Sequence, residues 1–455
     1  MYYITVKQSP MYHQMTLEEF LFGGDSVPKI INPNTTNTRT YEVNSINDKI
    51  LEKVNIEKLT KELVDFNFEF APLFEKNREN LYETFYTEKK GKGMHYVFKK
   101  IFESQKKYVN CDSSEVCKTV GAKIREMLTQ HPTDKSLDIE KEVISYCVEY
   151  LKNQNFTITD EQLLSFVKEG YRRIDAPKYE LSYALRQLKD IFEEKFNTLY
   201  HTSAFAYVKG RSTLDAIKRH QKNESRWFGK YDLSNFFGNT TVDFVVKMFS
   251  MIFPFSEIVK TKEGKEALET AISLCMLNGG LPQGTPISPM ITNIMMIPVD
   301  FLLTKKLRNY NNQRYIYTRY ADDFLVSSRY TFDFKEIEKI IVETLASFEA
   351  PFTIKKEKTR YGSSAGSNWN LGVMLNKDNN ITVGYEKKRK FKAMLFNYAK
   401  DKQNGINWCL SDVQTLEGYR NYYKMIEGDV IDKIVEHVGS KVGTDILQMI
   451  KNDLK

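Results

Sequence analysis

The pattern of apolar positions changes texture twice along the chain. Apolar residues recur at helical spacing at Ile50, Leu51, Val54, Leu59, Leu63 and Val64, and more cleanly at Ile139, Val143, Ile144, Cys147, Val148 and Leu151. Both stretches predict amphipathic helices. Between 24 and 48, Asn, Thr, Ser and Pro crowd together and predict an exposed loop or linker. From about residue 160, short β-prone runs alternate with helical ones, and polar residues gather at the joins. After Gly384 a basic, largely helical tail follows, with Gln414-Thr-Leu-Glu-Gly-Tyr-Arg-Asn-Tyr-Tyr as its most distinctive stretch.

At 455 residues and 41% hydrophobic content, the chain suits roughly two or three packed domains and is not disordered as a whole. No stretch approaches the roughly 18 uninterrupted apolar residues that a membrane helix needs. Met1 to Pro10 lacks the basic-then-apolar order of a secretory signal. The five cysteines (Cys111, Cys117, Cys147, Cys275 and Cys409) are odd in number and scattered, and the Cys111–Cys117 spacing is poor for zinc. A reduced, cytoplasmic protein is expected, with no membrane contact. Net charge is only +7, but basic residues cluster at Lys355, Lys356, Lys358 and Arg360, and at Lys387, Lys388, Arg389, Lys390 and Lys392. Tyr361, Tyr385 and Phe391 interleave with them, as on surfaces that track phosphates.

The sharpest chemical signal is Tyr315-Ile-Tyr-Thr-Arg-Tyr-Ala-Asp-Asp-Phe-Leu-Val-Ser-Ser328, two β-prone runs around an Ala-Asp-Asp tip, which is a hairpin pattern. Adjacent carboxylates repel each other unless one takes up a proton or a divalent cation neutralises both. Successive strand residues face opposite ways, so a tight turn must relax the pair, and Asp322 is the stronger expected ligand. A second carboxylate lies in Trp227-Phe-Gly-Lys-Tyr-Asp-Leu-Ser-Asn-Phe-Phe237, where Asp232 ends a short strand before a helix near 242–252. A strand-end aspartate opposite a carboxylate hairpin suits two-metal phosphoryl transfer, and the oxygen ligands favour magnesium. Asn278-Gly-Gly-Leu-Pro-Gln-Gly-Thr-Pro-Ile-Ser-Pro289 places two prolines around a Gln-Gly turn ahead of a helix over 290–302. Gly284 there permits close approach of backbone to a flat ligand, and Gln283 can hydrogen-bond a sugar or base edge.

Taken in order and spacing, Asp232-x-x-x-Phe-Phe, Leu-Pro-Gln-Gly-Thr-Pro-Ile-Ser-Pro and Tyr-Ala-Asp-Asp resemble motifs A, B and C of prokaryotic reverse transcriptases. Group II intron, retron and defence-associated enzymes share them, and the resemblance covers about residues 160–435. It implies an α+β right-hand polymerase fold. The domains expected from it are a mostly helical N-terminal extension over 1–155, fingers and palm over 156–384 and a helical thumb over 385–455. Asp232, Leu233, Asp322 and Asp323 are implied to hold two Mg2+ ions, with Mn2+ as a substitute. Tyr171-Arg-Arg-Ile-Asp-Ala-Pro177 is similar to the fingers segment whose arginine, here Arg172, grips the triphosphate, with Lys168 as a second candidate.

By the same resemblance Phe237 underlies the sugar and excludes a 2′-hydroxyl, with Phe236 beside it, and Gln283 and Gly284 border the nucleotide. Lys358 in Glu357-Lys-Thr359 protonates pyrophosphate. Arg211 of Tyr207-Val-Lys-Gly-Arg-Ser-Thr213, Gly372 of a primer grip at Leu371-Gly372, and Lys387, Lys388 and Lys390 contact nucleic acid. Two retron signatures are reduced: Ala216-Ile-Lys-Arg-His220 keeps only its histidine, read here as a core or surface residue, and Asn370-Leu-Gly372 keeps only its glycine. No H-N-H or RNase H carboxylate set is evident, so defence-associated or abortive-infection-type enzymes fit best.

The expected function is RNA-directed DNA synthesis from dNTPs, on a dedicated non-coding RNA and in anti-phage defence. The expected partners are an RNA template and a DNA primer or product, and the chain could form an oligomer. Template-independent or protein-primed synthesis by the same fold is the rival within the class. An RNA-binding scaffold without activity is the rival outside it.

Overall fold

The β-prone runs around Asp322 fold back on each other in the computed structural model of the chain, as β6 (Tyr315–Tyr320) and β7 (Asp323–Ser328). The structure describes residues 3–8, 11–16, 55–88, 100, 149, 165, 170–196, 200–308, 310–364 and 372–454. The expected linker over 24–48 and the helical spacing over 139–151 lie outside these, apart from Glu149. Tyr320 faces Asp323 across a two-residue turn, and Ala321 carries the positive φ of 56° that such turns demand at their first position. A non-glycine residue rarely adopts that φ, and here Arg319 braces the turn by donating from Nη1 to the Ala321 carbonyl at 3.2 Å.

Two more strands complete an antiparallel palm sheet in the order β6-β7-β5-β8, with β5 at Trp227–Asp232 and β8 at Arg360–Ser363. Strand β5 is central and buried at Phe228, Gly229, Tyr231 and Asp232. Helices pack on the sheet: α3 (Thr213–Lys222) sets Ile217 against Phe228 and Leu325, while α6 (Ser288–Met295) and α7 (Ile297–Leu307) supply a largely apolar core. The single helix expected over 290–302 is thus two, which meet at Met296. The helix expected near 242–252 is α4 (Val242–Phe249).

Residues from the expected N-terminal extension join this core. Helix α1 (Ile56–Glu69), capped by Asn55, buries Leu59, Leu63 and Phe66 against α5 (Lys262–Leu274), and Asn67 Nδ2 donates to the Ala267 carbonyl at 2.8 Å. Strand β3 (Tyr82–Glu88) pairs with β4 (Tyr171–Pro177), which leads into α2 (Tyr179–Phe196). Near the N-terminus β1 (Tyr3–Gln8) and β2 (Met11–Thr16) form a hairpin.

A second core belongs to the tail, where α8 (Phe334–Ser347) and a short β9–β10 pair (Met374–Leu375, Ile381–Thr382) precede three helices. These are α9 (Tyr385–Gln403), α10 (Leu410–Val442) and α11 (Ile446–Asp453), packed through Phe391, Leu395, Tyr398, Leu416 and Ile431. Helix α10 is kinked at Glu427, whose φ of −136° and ψ of 58° leave the helical region. The Glu427 carboxylate accepts from Thr382 Oγ1 and the Val383 amide at 2.8 Å each, and from Lys388 Nζ at 2.9 Å. Among the described residues no helix is long and apolar enough to cross a membrane.

Candidate active site

The sheet brings the three aspartates together. Asp232, the last residue of β5, stands directly opposite Asp323, the first of β7, and Asp322 precedes it in the turn. A main-chain bond from the Leu233 amide to the Asp322 carbonyl at 3.0 Å ties the two strand ends. Leu233 has its side chain in the core, so only its main-chain oxygen is available to a metal.

Two ammonium groups currently answer the carboxylates. Lys358 Nζ lies 3.1 Å from both oxygens of Asp232, and Lys230 Nζ lies 2.5 Å from Asp323 Oδ2. Asp323 Oδ1 is buried with no hydrogen-bond partner. Burial pushes the Asp323 carboxyl up to about 6, against the pull of Lys230, with Asp232 and Asp322 adding to the rise. Burial, then the neighbouring charge of Asp232, also raises Asp322. Among the described residues no three carboxylate, histidine or cysteine groups form a ready metal cage, consistent with both lysines holding carboxylates. The donors are still the all-oxygen set that a hard divalent cation takes, and the buried Asp323 Oδ1 without a hydrogen-bond partner fits a donor to such a cation.

The Gly-rich stretch after α5 proves to be a junction between parts of the protein. The Leu281 amide donates to the Phe237 carbonyl at 2.9 Å, and a side chain at Gly280 would overlap the Gly238 carbonyl. Further along, the Gln283 carbonyl accepts from the Asp175 amide of β4 at 2.8 Å. Gly284, at φ 120°, has room for no Cβ: one would lie 2.8 Å from Ile174 Cγ2 and 2.9 Å from the Asp175 carbonyl oxygen. The close approach that the structure shows at Gly284 is to strand β4. Asp175 is itself braced by Thr84 Oγ1 and Arg173 Nε, each at 2.9 Å. Arg172 pairs in register with Thr87 on this same strand pair, while Lys168 lies outside the described residues.

The two phenylalanines differ in burial. Phe236 is buried, 5.0 Å in ring separation from Phe352, whereas Phe237 is half-buried at the rim of the core. His220 is fully buried, with ring nitrogens 2.6 Å from Ser327 Oγ and 2.8 Å from Thr318 Oγ1. Burial lowers it to about 3, so it is a neutral brace under the sheet.

Four of the residues expected at nucleic acid, Arg211, Gly372, Lys387 and Lys388, have partners within the chain. Arg211 spends its guanidinium on the carbonyls of His201, Ala204 and Tyr200, at 2.6, 2.7 and 3.2 Å, and so holds a loop together. Lys387 donates to the Gly372 carbonyl at 2.8 Å, which ties the expected primer-grip glycine to α9; Leu371 lies outside the described residues. Lys388 is engaged with Glu427. Lys390 is exposed on α9, together with Arg389 and Lys392.

Sequence reasoning missed Lys230 and a fully buried pair beneath the turn. Arg319 and Asp300 meet at 2.8 Å with both side chains 0% exposed, and Tyr317 Oη and Asn293 Oδ1 complete the network. The signal was a lone aspartate in the apolar helix α7 and a lone arginine in the apolar strand β6; buried charges need partners.

Residues 168–394 match the family described as reverse transcriptase (RNA-dependent DNA polymerase). The chain is similar to the retron Ec83 reverse transcriptase of Escherichia coli, at 26% identity over 297 residues that cover 62% of this chain and 86% of that protein. It is 28% identical to the retron Ec73 reverse transcriptase of the same organism over 239 residues, covering 51% of this chain and 73% of the relative. Against the retron Mx162 reverse transcriptase of Myxococcus xanthus, identity is 30% over 170 residues, 35% of this chain and 34% of the relative.

Proposed function

Because the chain belongs to the reverse transcriptase family of RNA-directed DNA polymerases, we propose that nucleotide addition takes place at the tip of the β6–β7 hairpin, on Asp232, Asp322 and Asp323. The observation that carries this reading is the cross-strand register of Asp232 with Asp323. These carboxylates, with the Leu233 main-chain oxygen, would hold two magnesium ions or manganese in their place. Bound there, the ions would acidify the primer 3′-hydroxyl and neutralise the triphosphate.

The chain's own groups do the rest. Lys358, with its side chain 53% exposed, is free to exchange Asp232 for the leaving pyrophosphate and give it a proton. Phe237 lies beneath the sugar and excludes a 2′-hydroxyl, with Phe236 fixing it from behind. Arg172, and Lys168 upstream, pair with triphosphate oxygens, and Gln283 reaches a sugar or base edge. Lys390 on α9 contacts the template–primer.

The domain division follows: an extension over 1–155 that lends α1 and β3 to the fingers and palm of 156–384, then a thumb over 385–455. We infer further that the template is a dedicated non-coding RNA and that the DNA serves anti-phage defence in the cytoplasm, a reading that similarity to retron reverse transcriptases supports.

The deciding experiment is primer extension by Asp322→Asn with Asp323→Asn, assayed with and without added RNA. Amides bind magnesium poorly, so a folded double variant should incorporate no nucleotide. Near-normal incorporation would refute the metal assignment. Extension by the parent protein without any RNA would move the function to untemplated synthesis.

A further inference from the structure

At the end of β6 remote from the aspartates, the structure holds a cavity of about 550 Å³ that no catalytic role above uses. Tyr315, on its wall, lies five strand steps from Tyr320, about 17 Å along β6. Four cations converge on it and, among the described residues, no carboxylate lines it. Arg219 and Lys222 come from one face of α3, Arg308 from the end of α7, and Arg314 from the approach to β6. Arg219 is held in place: its Nη1 donates to the Thr202 carbonyl at 2.9 Å and its guanidinium lies 5.8 Å from the Phe205 ring centre. Lys222, Arg308 and Arg314 are exposed.

An ordinary solvated face spreads its like charges apart. Here they are focused into a concavity, where mutual repulsion turns into attraction for a polyanion. The Ser203 and Thr304 hydroxyls, 3.3 Å apart on the same wall, add neutral donors that phosphate oxygens accept. A base is not what the cavity reads. Tyr315 and Tyr317 are 6% and 4% exposed, with hydroxyls turned to Gln313 and Asp300, so they offer no stacking face. The cations also come from three separate elements, a spread that suits successive phosphates better than a single one.

We propose that this cavity is a second, sequence-independent nucleic-acid site, which takes consecutive phosphates of an RNA strand at the palm edge remote from the catalytic turn. The proposal rests on the reading of the chain as an enzyme that copies RNA, but its test needs no synthesis. In the full chain, Lys222→Gln, Arg308→Gln and Arg314→Gln are combined. Binding of a fluorescein-labelled, mixed-sequence single-stranded RNA is then followed by anisotropy across a range of salt concentrations. Each lost contact should lower the slope of log affinity against log salt by about 0.7, so by about 2 in all, or roughly a hundredfold in affinity at 0.1 M salt. If the triple variant fails to fold, Arg308→Gln with Arg314→Gln should still lose about 1.4.

Asp322→Asn with Asp323→Asn should bind this RNA with the parental slope, which separates failure at the catalytic turn from failure here. An unchanged slope in a variant that melts like the parent overturns the proposal. Displacement of the RNA by micromolar inorganic pyrophosphate would make this a small-anion site, and loss of binding to a poly-glutamate peptide alone would make it a protein-docking edge. Either result also overturns it.

Discussion

Gly284→Ala tests whether the Gly-rich junction, rather than contact with a ligand, fixes the fingers over the palm. The φ of 120° lies in a region that is nearly glycine-only, and forcing a side chain there costs about 1–3 kcal/mol. The new Cβ would also sit 2.9 Å from the Asp175 main-chain oxygen, which cannot swing aside as a side chain would. Relief requires β4 to back away, and that breaks the 2.8 Å bond from the Asp175 amide to Gln283, worth about 0.5–1.5 kcal/mol. Together the loss is about 1.5–4.5 kcal/mol.

Because β4 carries Arg172, part of that loss should appear as weaker dNTP use. A fall of about ten- to a hundredfold in kcat/KM, mainly through KM, corresponds to roughly 1.4–2.8 kcal/mol. Steady-state incorporation against dNTP concentration, paired with a denaturant melt, measures both parts. Gly279→Ala is the control: its φ is 82° but nothing lies within 4 Å of its Cβ, so it should lose some stability and keep its KM. If Gly284→Ala leaves both the melt and kcat/KM unchanged, the junction does not position the fingers.

Phe237→Val should admit ribonucleotides by opening space beneath C2′; an active variant that keeps full dNTP preference would return the role to Phe236. Arg319→Met leaves Asp300 buried without its ion-pair partner, so it should cost about 3–5 kcal/mol, read from the shift of the urea midpoint. Adding Asp300→Leu should recover much of that loss, and a double variant as unstable as the single one would contradict the pairing. On the thumb, Arg389→Gln, Lys390→Gln and Lys392→Gln should together flatten the salt dependence of template–primer binding by about one to three units. Lys387→Gln should instead lower the melting temperature and leave that slope alone, and the reverse pattern would undo the division of this run.

What could be read from the sequence was chemistry that is local in the chain. The Ala-Asp-Asp tip between two β-prone runs announced the hairpin, and the strand-end position of Asp232 announced its partner. Partners brought together by long-range packing were not legible. Nothing near Arg211 says that three carbonyls will claim its guanidinium, and a run of five basic residues does not say which of them bend back onto Gly372 and Glu427. The pairing of β3 with β4 joins segments about ninety residues apart, and the backbone that crowds Gly284 belongs to that distant strand pair. Glycines mark a close approach without naming what approaches.

The break in α10 gives the thumb a mechanical character. Beyond Glu427 the helix runs to Val442, an arm of about 22 Å at the usual rise per residue. A turn of about 10° at the break would carry its tip through about 4 Å, comparable to one helical rise of several residues. The Glu427 carboxylate sits at that break and accepts from Thr382, Val383 and Lys388 of α9. One side chain therefore joins three elements at the break in α10: the end of β10, the Val383 amide and the start of α9.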